Sequence, residues 1–197
     1  MIKGKRWEDH YTRRARAEKW LARSVYKLEE IDKKFKLIGK GYRLLDLGCY
    51  PGSWSQYSLK RVGPQGDVTG LDIKRPERLS APNFRFIEAD IFRLDTEWLL
   101  GETGPRDIVI SDLAPQTTGI KVADTIHSIE LAKRSLEIAI VILNNKGDFL
   151  CKAFEGEGLK IFRDDFSGHF DRIRLIRPSA VRKGSREIYL LGLGLVD

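Results

Sequence analysis

The chain has 197 residues, of which 32% are charged, and 35 lysines and arginines against 28 acids give a formal net charge of +7. This length favours one domain with a sizeable core over residues 1–197. No apolar stretch approaches the roughly 20 residues that span a bilayer, and the N-terminal residues lack a signal-like apolar core, so we expect a cytoplasmic protein without membrane segments. The two cysteines, Cys49 and Cys151, and the three histidines lack the spacing of a zinc site, so neither a disulfide nor a metal is expected.

Most of the positive charge lies at the N-terminal end. Residues 1–27 carry nine lysines and arginines against three acids, which is +6 of the formal +7. Trp7, Tyr11 and Trp20 are interleaved with these cations. Because cations neutralise phosphates and aromatic rings stack on unpaired bases, the pattern is typical of a nucleic-acid-binding arm. The alternative is a solvated tail without a partner.

The arm is followed by a predicted amphipathic helix, so that arm and helix together cover about residues 1–38. Apolar residues recur at steps of three and four from Leu21 to Phe35, Lys27 lies among them, and Gly39 and Gly41 end the pattern.

After these glycines the chain alternates strand-like and helix-like segments, which is typical of a parallel α/β sheet. The predicted strands are Tyr42–Leu47, Asp67–Leu71, Phe84–Glu88, Asp107–Ser111, Asp148–Ala153, Arg172–Ile176 and Glu187–Leu195, the last two as an antiparallel pair.

A long amphipathic helix is predicted between the fourth and fifth strands, over about Val122–Leu143. We expect its apolar residues to belong to the core rather than to a site. They are Ile126, Ile129, Leu136, Ile140 and Leu143.

The first strand leads into a loop, read DLGCYPGSW, that has the features of a cofactor site. Glycines at positions 48 and 52 let the backbone bend sharply and approach a ligand. The acid Asp46 beside the loop disfavours a pyrophosphate and suits a cationic cofactor such as S-adenosylmethionine. Asp72 ends the second strand, about 20 residues further on, where an acid in nucleotide-binding units accepts hydrogen bonds from ribose hydroxyls. Alone, the loop would also suit an ordinary turn.

Further candidate residues follow the later strands, because ligands of open α/β sheets bind at the carboxyl ends of the strands. Asp90 follows the third strand, where an acid can reach an adenine amino group, and Asp112 and Lys152 end the fourth and fifth strands. The connection between the last two strands, PSAVRKGSR, is basic and is predicted to lie beside the substrate face.

These motifs resemble the RrmJ/FtsJ family of S-adenosylmethionine-dependent RNA ribose 2′-O-methyltransferases. The resemblance runs from RSVYKLEEID through DLGCYPGSWSQ, SDLAP and CKAFEGEG to SREIYLLG. Its most specific part is a dispersed tetrad of Lys, Asp, Lys and Glu, which falls on Lys27, Asp112, Lys152 and Glu187. The family implies an α/β, Rossmann-like fold with a seven-stranded, mostly parallel sheet, helices on both faces and an antiparallel last strand.

The resemblance also implies the cofactor S-adenosylmethionine and an RNA partner, with large-subunit ribosomal RNA and a uridine as the expected target. We expect a monomer. The loop departs from the family at Cys49, Tyr50 and Ser53, where the family more often has small residues in a P-G-G-W loop, and this affects how the methionine end of the cofactor would pack. The candidate cofactor-binding residues are Asp46, Gly48, Gly52, Ser53, Trp54, Asp72, Asp90 and Asp112.

Our hypothesis for the chemistry makes Lys152 the general base that receives the hydroxyl proton. Burial and the second cation Lys27 would favour its neutral form, Asp112 would orient it, and Lys27 with Glu187 would position the ribose. Two ordinary ion pairs are the structural alternative.

Other functions fit the sequence less well. Base N-methylation is disfavoured because the tetrapeptide after the fourth strand, DLAP, lacks an aromatic residue to stack on a base. Carbon-directed pyrimidine methylation is disfavoured because it needs a cysteine nucleophile in a Pro-Cys loop, and neither cysteine follows a proline. A non-catalytic RNA-binding module of ribosome assembly would not need Lys152 beside Asp112. Small-molecule methylation would leave the basic arm without a role. Methylation of transfer RNA or another RNA stays open.

Overall fold

The computed structural model describes residues 9–196, in which the chain forms a central sheet flanked by helices. The helices are α1 His10–Ala17, α2 Val25–Phe35, α3 Ser53–Val62, α4 Thr96–Thr103, α5 Lys121–Ile142 and α6 Leu159–Ser167. The strands are β1 Arg43–Leu47, β2 Asp67–Asp72, β3 Phe84–Glu88, β4 Arg106–Ser111, β5 Leu143–Phe154, β6 Phe170–Ile176 and β7 Glu187–Leu195.

The seven strands form one sheet in the order β3-β2-β1-β4-β5-β7-β6. β3, β2, β1, β4 and β5 pair in parallel, whereas β7 is antiparallel to both β5 and β6. β7 is therefore the one strand of this sheet that runs against the others, and the predicted fold class is confirmed. The order reverses between β1 and β4, so the carboxyl ends of these two strands flank a crevice of the kind that holds ligands in such sheets.

The apolar core has two parts, one on each face of the sheet. Phe149, Phe162 and Phe166 belong to the part under α5 and α6, and Tyr26, Trp54 and Tyr189 to the part under α2 and α3. This division follows from the alternation of side chains along each strand. Because β1 is buried on both faces, most of its residues are leucines, and the acidic residue Asp46 interrupts them.

Three details of the fold differ from the sequence prediction. α1 and α4 were not expected; both are short and begin at an aspartate side chain, Asp9 or Asp95, that accepts hydrogen bonds from the first turn. β5 begins at Leu143 rather than Asp148, because Leu143 already pairs with Arg106 of β4 and the polar stretch before Asp148 falls in a bulge. Ile126 is 48% exposed and does not belong to the core, whereas Ile129 and Leu136 on the same helix do.

No helix among residues 9–196 combines the length and apolar character needed to cross a membrane.

Candidate active site

A crevice of about 340 Å³ lies along the carboxyl ends of β1 to β4. The residues that follow the four strands meet there, as the sheet order requires. Four of the predicted cofactor-binding residues line it: Gly48, Asp72, Asp90 and Asp112. The apolar residues Ile73 and Phe92, 69% and 55% exposed, also line it, and the sequence analysis missed them. An apolar residue one or two positions after an acid that ends or follows a strand is the signal that could have found them.

The loop after β1 approaches the crevice closely because of Gly48. Its φ is +75°, and an added Cβ would come within 2.6 Å of the Leu113 side chain. A larger residue here would therefore have a strained backbone, and its side chain would displace that of Leu113, which lines the crevice. Gly52, with φ +105°, instead begins α3, and an added Cβ there would meet Leu21 at 2.9 Å.

Asp72 is held in the crevice by the backbone. One carboxylate oxygen accepts a hydrogen bond from the amide of Tyr50 and the other from the amide of Lys74, each at 3.0 Å. Each carboxylate oxygen has a further lone pair with which to accept a hydroxyl hydrogen. Asp90 is fixed in a similar way by the amide of Phe92 at 3.0 Å.

Asp46 lies beneath the crevice rather than in its lining and is fully buried. Its Oδ2 accepts a hydrogen bond of 2.5 Å from the Ser55 hydroxyl, and its Oδ1 has no hydrogen-bond partner among the described residues. Burial, together with the charges of Asp112 and Asp72, raises the pKa of Asp46 to about 7 despite the Ser55 hydrogen bond. The carboxyl groups of Asp46, Asp72 and Asp112 thus lie in or directly beneath the crevice, where negative charge favours a cationic ligand.

Lys152 and Asp112 meet where β5 and β4 end. The register pairs Ser111 with Cys151, so the next residue on each strand projects toward the same place. The Lys152 ammonium lies 3.0 Å from Asp112 Oδ1 and donates to the Asp112 carbonyl oxygen at 2.5 Å. Both groups have little exposure, with side chains 4% and 17% accessible. The predicted proximity of the two side chains is confirmed by this geometry.

The other two members of the tetrad form a second pair nearby. Lys27 on α2 donates to Glu187 Oε2 at 2.6 Å. Glu187 and Tyr189 share one face of β7, and Tyr189 lies opposite Lys152 in the strand pairing. The structure therefore brings all four tetrad residues to one face of the sheet.

Tyr189 connects the two pairs, and the sequence analysis missed it. Its hydroxyl donates to Asp112 Oδ1 at 2.7 Å, and the Lys27 ammonium lies 5.9 Å from the centre of its ring. Burial raises the pKa of Tyr189 well above its ordinary value, and the charges of Asp112 and Glu187 add to this, so its hydroxyl remains a donor. Its position two residues after Glu187 on a strand was the available signal.

Asp112 is ionised in this setting. Burial alone would raise its pKa, but the positive charges of Lys152 and Lys27, together with the hydrogen bonds from Tyr189 and Lys152, outweigh burial and lower it. The carboxylate therefore belongs both to the crevice and to the tetrad. A ligand in the crevice and a substrate at the tetrad would meet at this group.

Like Asp46 and Gly52, the predicted cofactor-binding residues Ser53 and Trp54 lie outside the crevice lining. The Ser53 hydroxyl contacts that of Ser24 at 2.9 Å, and the Trp54 indole donates to the Ser24 carbonyl at 2.9 Å. The Trp54 ring also packs 5.9 Å from that of Tyr189. In this structure both residues attach α3 to the start of α2, so their direct contact with a cofactor stays a prediction.

The N-terminal segment packs on the same face as the tetrad, but its rings are engaged within the chain. Tyr11 packs against Tyr26 at 5.4 Å, and the Lys60 ammonium lies 3.9 Å above the Trp20 ring. Both side chains remain partly exposed, so their stacking on bases stays a prediction. Trp7 lies outside the described residues.

Neither cysteine is suited to nucleophilic catalysis. Cys49 and Cys151 are buried, and burial raises the pKa of each thiol well above its ordinary value, with Asp46 adding to the effect at Cys49. Residues 9–196 contain no group of three or more histidine, cysteine or acidic side chains placed to hold a metal.

The sheet order and the position of the crevice are those of the class I methyltransferase fold. An Aeropyrum pernix fibrillarin structure, which has S-adenosyl-L-methionine bound, shares the fold with a TM-score of 0.58 at 16% identity, over 79% of this chain and 68% of that one. A Plasmodium falciparum protein described as a ribosomal RNA methyltransferase is more similar, with a TM-score of 0.79 at 28% identity over 89% of this chain and 98% of that one.

The chain belongs to the FtsJ-like methyltransferase family, whose model matches residues 20–195. Relatives named ribosomal RNA large subunit methyltransferase E include one from Desulfatibacillum aliphaticivorans, 44% identical over 96% of this chain and 92% of its own length. Another, from Methanothermobacter thermautotrophicus, is 40% identical over 96% of this chain and 93% of its own length. The family resemblance seen in the sequence is confirmed.

Proposed function

We propose that this methyltransferase transfers a methyl group from S-adenosylmethionine to a ribose 2′-hydroxyl of RNA, with a uridine of large-subunit ribosomal RNA as the target. The observation that carries the proposal is the position of Asp112, whose carboxylate lines the crevice and also contacts Lys152 and Tyr189. A methyl donor in the crevice and a hydroxyl at the tetrad would then be neighbours.

The crevice suits the proposed cofactor in charge and in shape. S-adenosylmethionine supplies an electrophilic methyl group on a cationic sulfonium. The carboxyls of Asp46, Asp72 and Asp112 favour such a cation, and Asp46 Oδ1 has no donor of its own among the described residues. Asp72 would accept hydrogen bonds from the ribose, while Ile73 and Phe92 would provide apolar surface for the purine.

The tetrad suits an alcohol nucleophile, which must lose its proton as the new bond forms. In the proposal Lys152, in its amine form, receives that proton. Asp112 orients Lys152, and Lys27 with Glu187 positions the ribose at the adjoining cavity that both residues line. Tyr189 holds Asp112 through its hydroxyl.

The RNA substrate is supported by two independent observations. The relatives carry names that specify large-subunit ribosomal RNA. Arg23 in the turn before α2 and Arg182 in the β6–β7 connection line a cavity on the tetrad side of the sheet together with Lys27 and Glu187. Both cations would neutralise phosphates next to the reacting ribose.

The position of the transferred methyl group tests the proposal. The protein is incubated with methyl-labelled S-adenosylmethionine and with large-subunit RNA, free and in subunits, from a strain that lacks the gene. We expect the label in alkali-stable dinucleotides, because a 2′-O-methyl group removes the hydroxyl that attacks the neighbouring phosphodiester. Label in mononucleotides would show base methylation, and absence of label from both forms of the RNA would contradict the substrate.

Asp72→Ala should weaken binding of S-adenosylmethionine. Loss of hydrogen bonds from the ribose to a charged acceptor costs on the order of 1 to 3 kcal/mol, or roughly fivefold to 150-fold in affinity. Titration calorimetry measures the change. Asp95→Ala is a suitable control, since Asp95 caps α4 outside the crevice lining. An unchanged affinity of the Asp72 variant would remove this residue from the site.

Replacement of Arg13, Arg14 and Arg16 by glutamine should lower RNA affinity, because these residues of α1 lie on the tetrad side. For every phosphate that the variant no longer neutralises, the plot of log affinity against log salt should flatten by roughly 0.7 to 0.9. The matched control replaces Lys133, Lys160 and Arg163, which lie on α5 and α6 across the sheet. If both triple variants show the same decrease in affinity and slope, α1 has no specific role in RNA binding.

A further inference from the structure

A second cavity, of about 200 Å³, adjoins the tetrad on the side of the N-terminal helices. It is lined by Arg23, Ser24, Lys27, Arg182 and Glu187. Lys27 and Glu187 form one of the tetrad pairs, so this cavity touches the proposed position of the ribose. The two arginines come from distant parts of the chain, Arg23 from the turn before α2 and Arg182 from the β6–β7 connection.

One carboxylate of the chain is directed at both arginines. Asp9 Oδ2 forms an ion pair with Arg23 and lies 3.7 Å from Arg182 Nε. Asp9 Oδ1 has a different task, since it accepts a hydrogen bond from the amide of Thr12 at 2.9 Å and so caps α1. The cap needs a side-chain oxygen, whereas the contact with the arginines needs a negative charge.

The two arginines differ in how firmly they are held. Arg23 also donates to the carbonyl oxygen of Ala180, and its guanidinium lies 5.4 Å from the centre of the Tyr11 ring. Arg182 is 72% exposed in its side chain and has freedom to reorient. A fixed guanidinium next to an adjustable one is a suitable pair for the oxygens of a phosphodiester.

We propose that this cavity binds the RNA phosphodiester next to the target ribose, and that the Asp9 carboxylate takes the place of that phosphate while RNA is absent. The inference rests on the proposed function for the identity of the RNA. A phosphodiester carries one negative charge, as the carboxylate does, so RNA binding exchanges one anion for another at Arg23 and Arg182. Asp9 thereby lowers the affinity for RNA and prevents the two arginines from holding other anions.

The test removes the charge of Asp9 but keeps the cap. Asparagine is as good a helix cap as aspartate, so Asp9→Asn should preserve α1. We expect its affinity for a single-stranded oligoribonucleotide, measured by fluorescence anisotropy, to rise about twofold to fivefold, the range of one exposed ion pair. The matched control is Glu155→Gln. It also removes one negative charge, from an ion pair of 2.6 Å with Arg177, the residue directly before the basic PSAVRKGSR connection. This control should change the affinity less than the Asp9 variant does.

A double-mutant comparison connects the gain to the cavity. Arg182→Gln should weaken RNA binding, and in its presence Asp9→Asn should give a smaller gain than in the wild type. An oligonucleotide with neutral methylphosphonate linkages should show no gain. Asp9→Ser, which also caps, repeats the test if the asparagine variant is unstable. Unchanged or weaker binding by the Asp9 variants, or an equal gain from Glu155→Gln, would overturn the inference. These are binding measurements, so a failure of ribose methylation would count against the proposed function alone.

Discussion

Lys152→Ala should reduce the rate of methyl transfer by about 10² to 10⁴, the usual loss when a general base is removed. The residue lies 3.0 Å from the Asp112 carboxylate, beside the crevice, and is almost fully buried. Single-turnover transfer of labelled methyl to RNA measures the rate without interference from product release. Binding of S-adenosylmethionine and of RNA should persist, because Lys152 does not line the crevice and is shielded from solvent.

Two further variants make the result specific to chemistry. Breaking a buried ion pair can cost about 3 to 5 kcal/mol in stability, so the thermal stability of each variant must be measured beside its activity. Lys152→Met is the first further variant, because it removes the amine but retains the volume of the side chain. Lys160→Ala removes an exposed lysine on α6 and should leave the rate unchanged. If Lys152→Ala keeps near-normal transfer while Asp112→Ala abolishes it, Asp112 is the base and the proposed roles are wrong.

The sheet and the two strand-terminal residues of the tetrad could be predicted because local patterns determine them. Apolar runs that end in a charged residue mark buried parallel strands, and the rule for their carboxyl ends brings Asp112 and Lys152 together without knowledge of any distance. Lys27 and Glu187 lie far apart in the chain, and only the resemblance of their motifs to the family indicated that they belong to the same site. The 2.6 Å contact between them depends on how α2 packs on the sheet.

The residues that were missed depend on packing that a pattern does not contain. Tyr189 reads as one more apolar residue of a closing strand, and only the register opposite Lys152 reveals that its hydroxyl reaches Asp112. In the same way, Tyr11 and Trp20 have the sequence spacing of a stacking arm. In the structure their rings contact Tyr26 and Lys60, which the spacing alone does not reveal.

Asp46 should make the protein less stable as the pH rises from about 4 to about 7. Its pKa in the folded chain is about 7, against 3.8 ordinarily, so over this range the folded chain keeps a proton that the unfolded chain has released. Stability therefore falls with rising pH, by up to about 1.4 kcal/mol per unit, and on the order of 4 kcal/mol in total. Above about 7 the contribution of Asp46 no longer changes. Urea unfolding at a series of pH values measures the curve.

The comparison with Asp46→Asn isolates this contribution, since other groups titrate in the same range. The lowered pKa of Asp112 has the opposite sign, because the stability it contributes is lost as the pH falls. Between pH 4 and 7 the wild type should lose stability relative to the asparagine variant, and a constant difference would contradict the buried, protonated carboxyl. Because a cation favours the ionised form, affinity for S-adenosylmethionine should rise toward pH 7 in the wild type more than in the variant. S-adenosylhomocysteine, whose sulfur is neutral, should show a smaller rise, which would tie the Asp46 charge to the sulfonium.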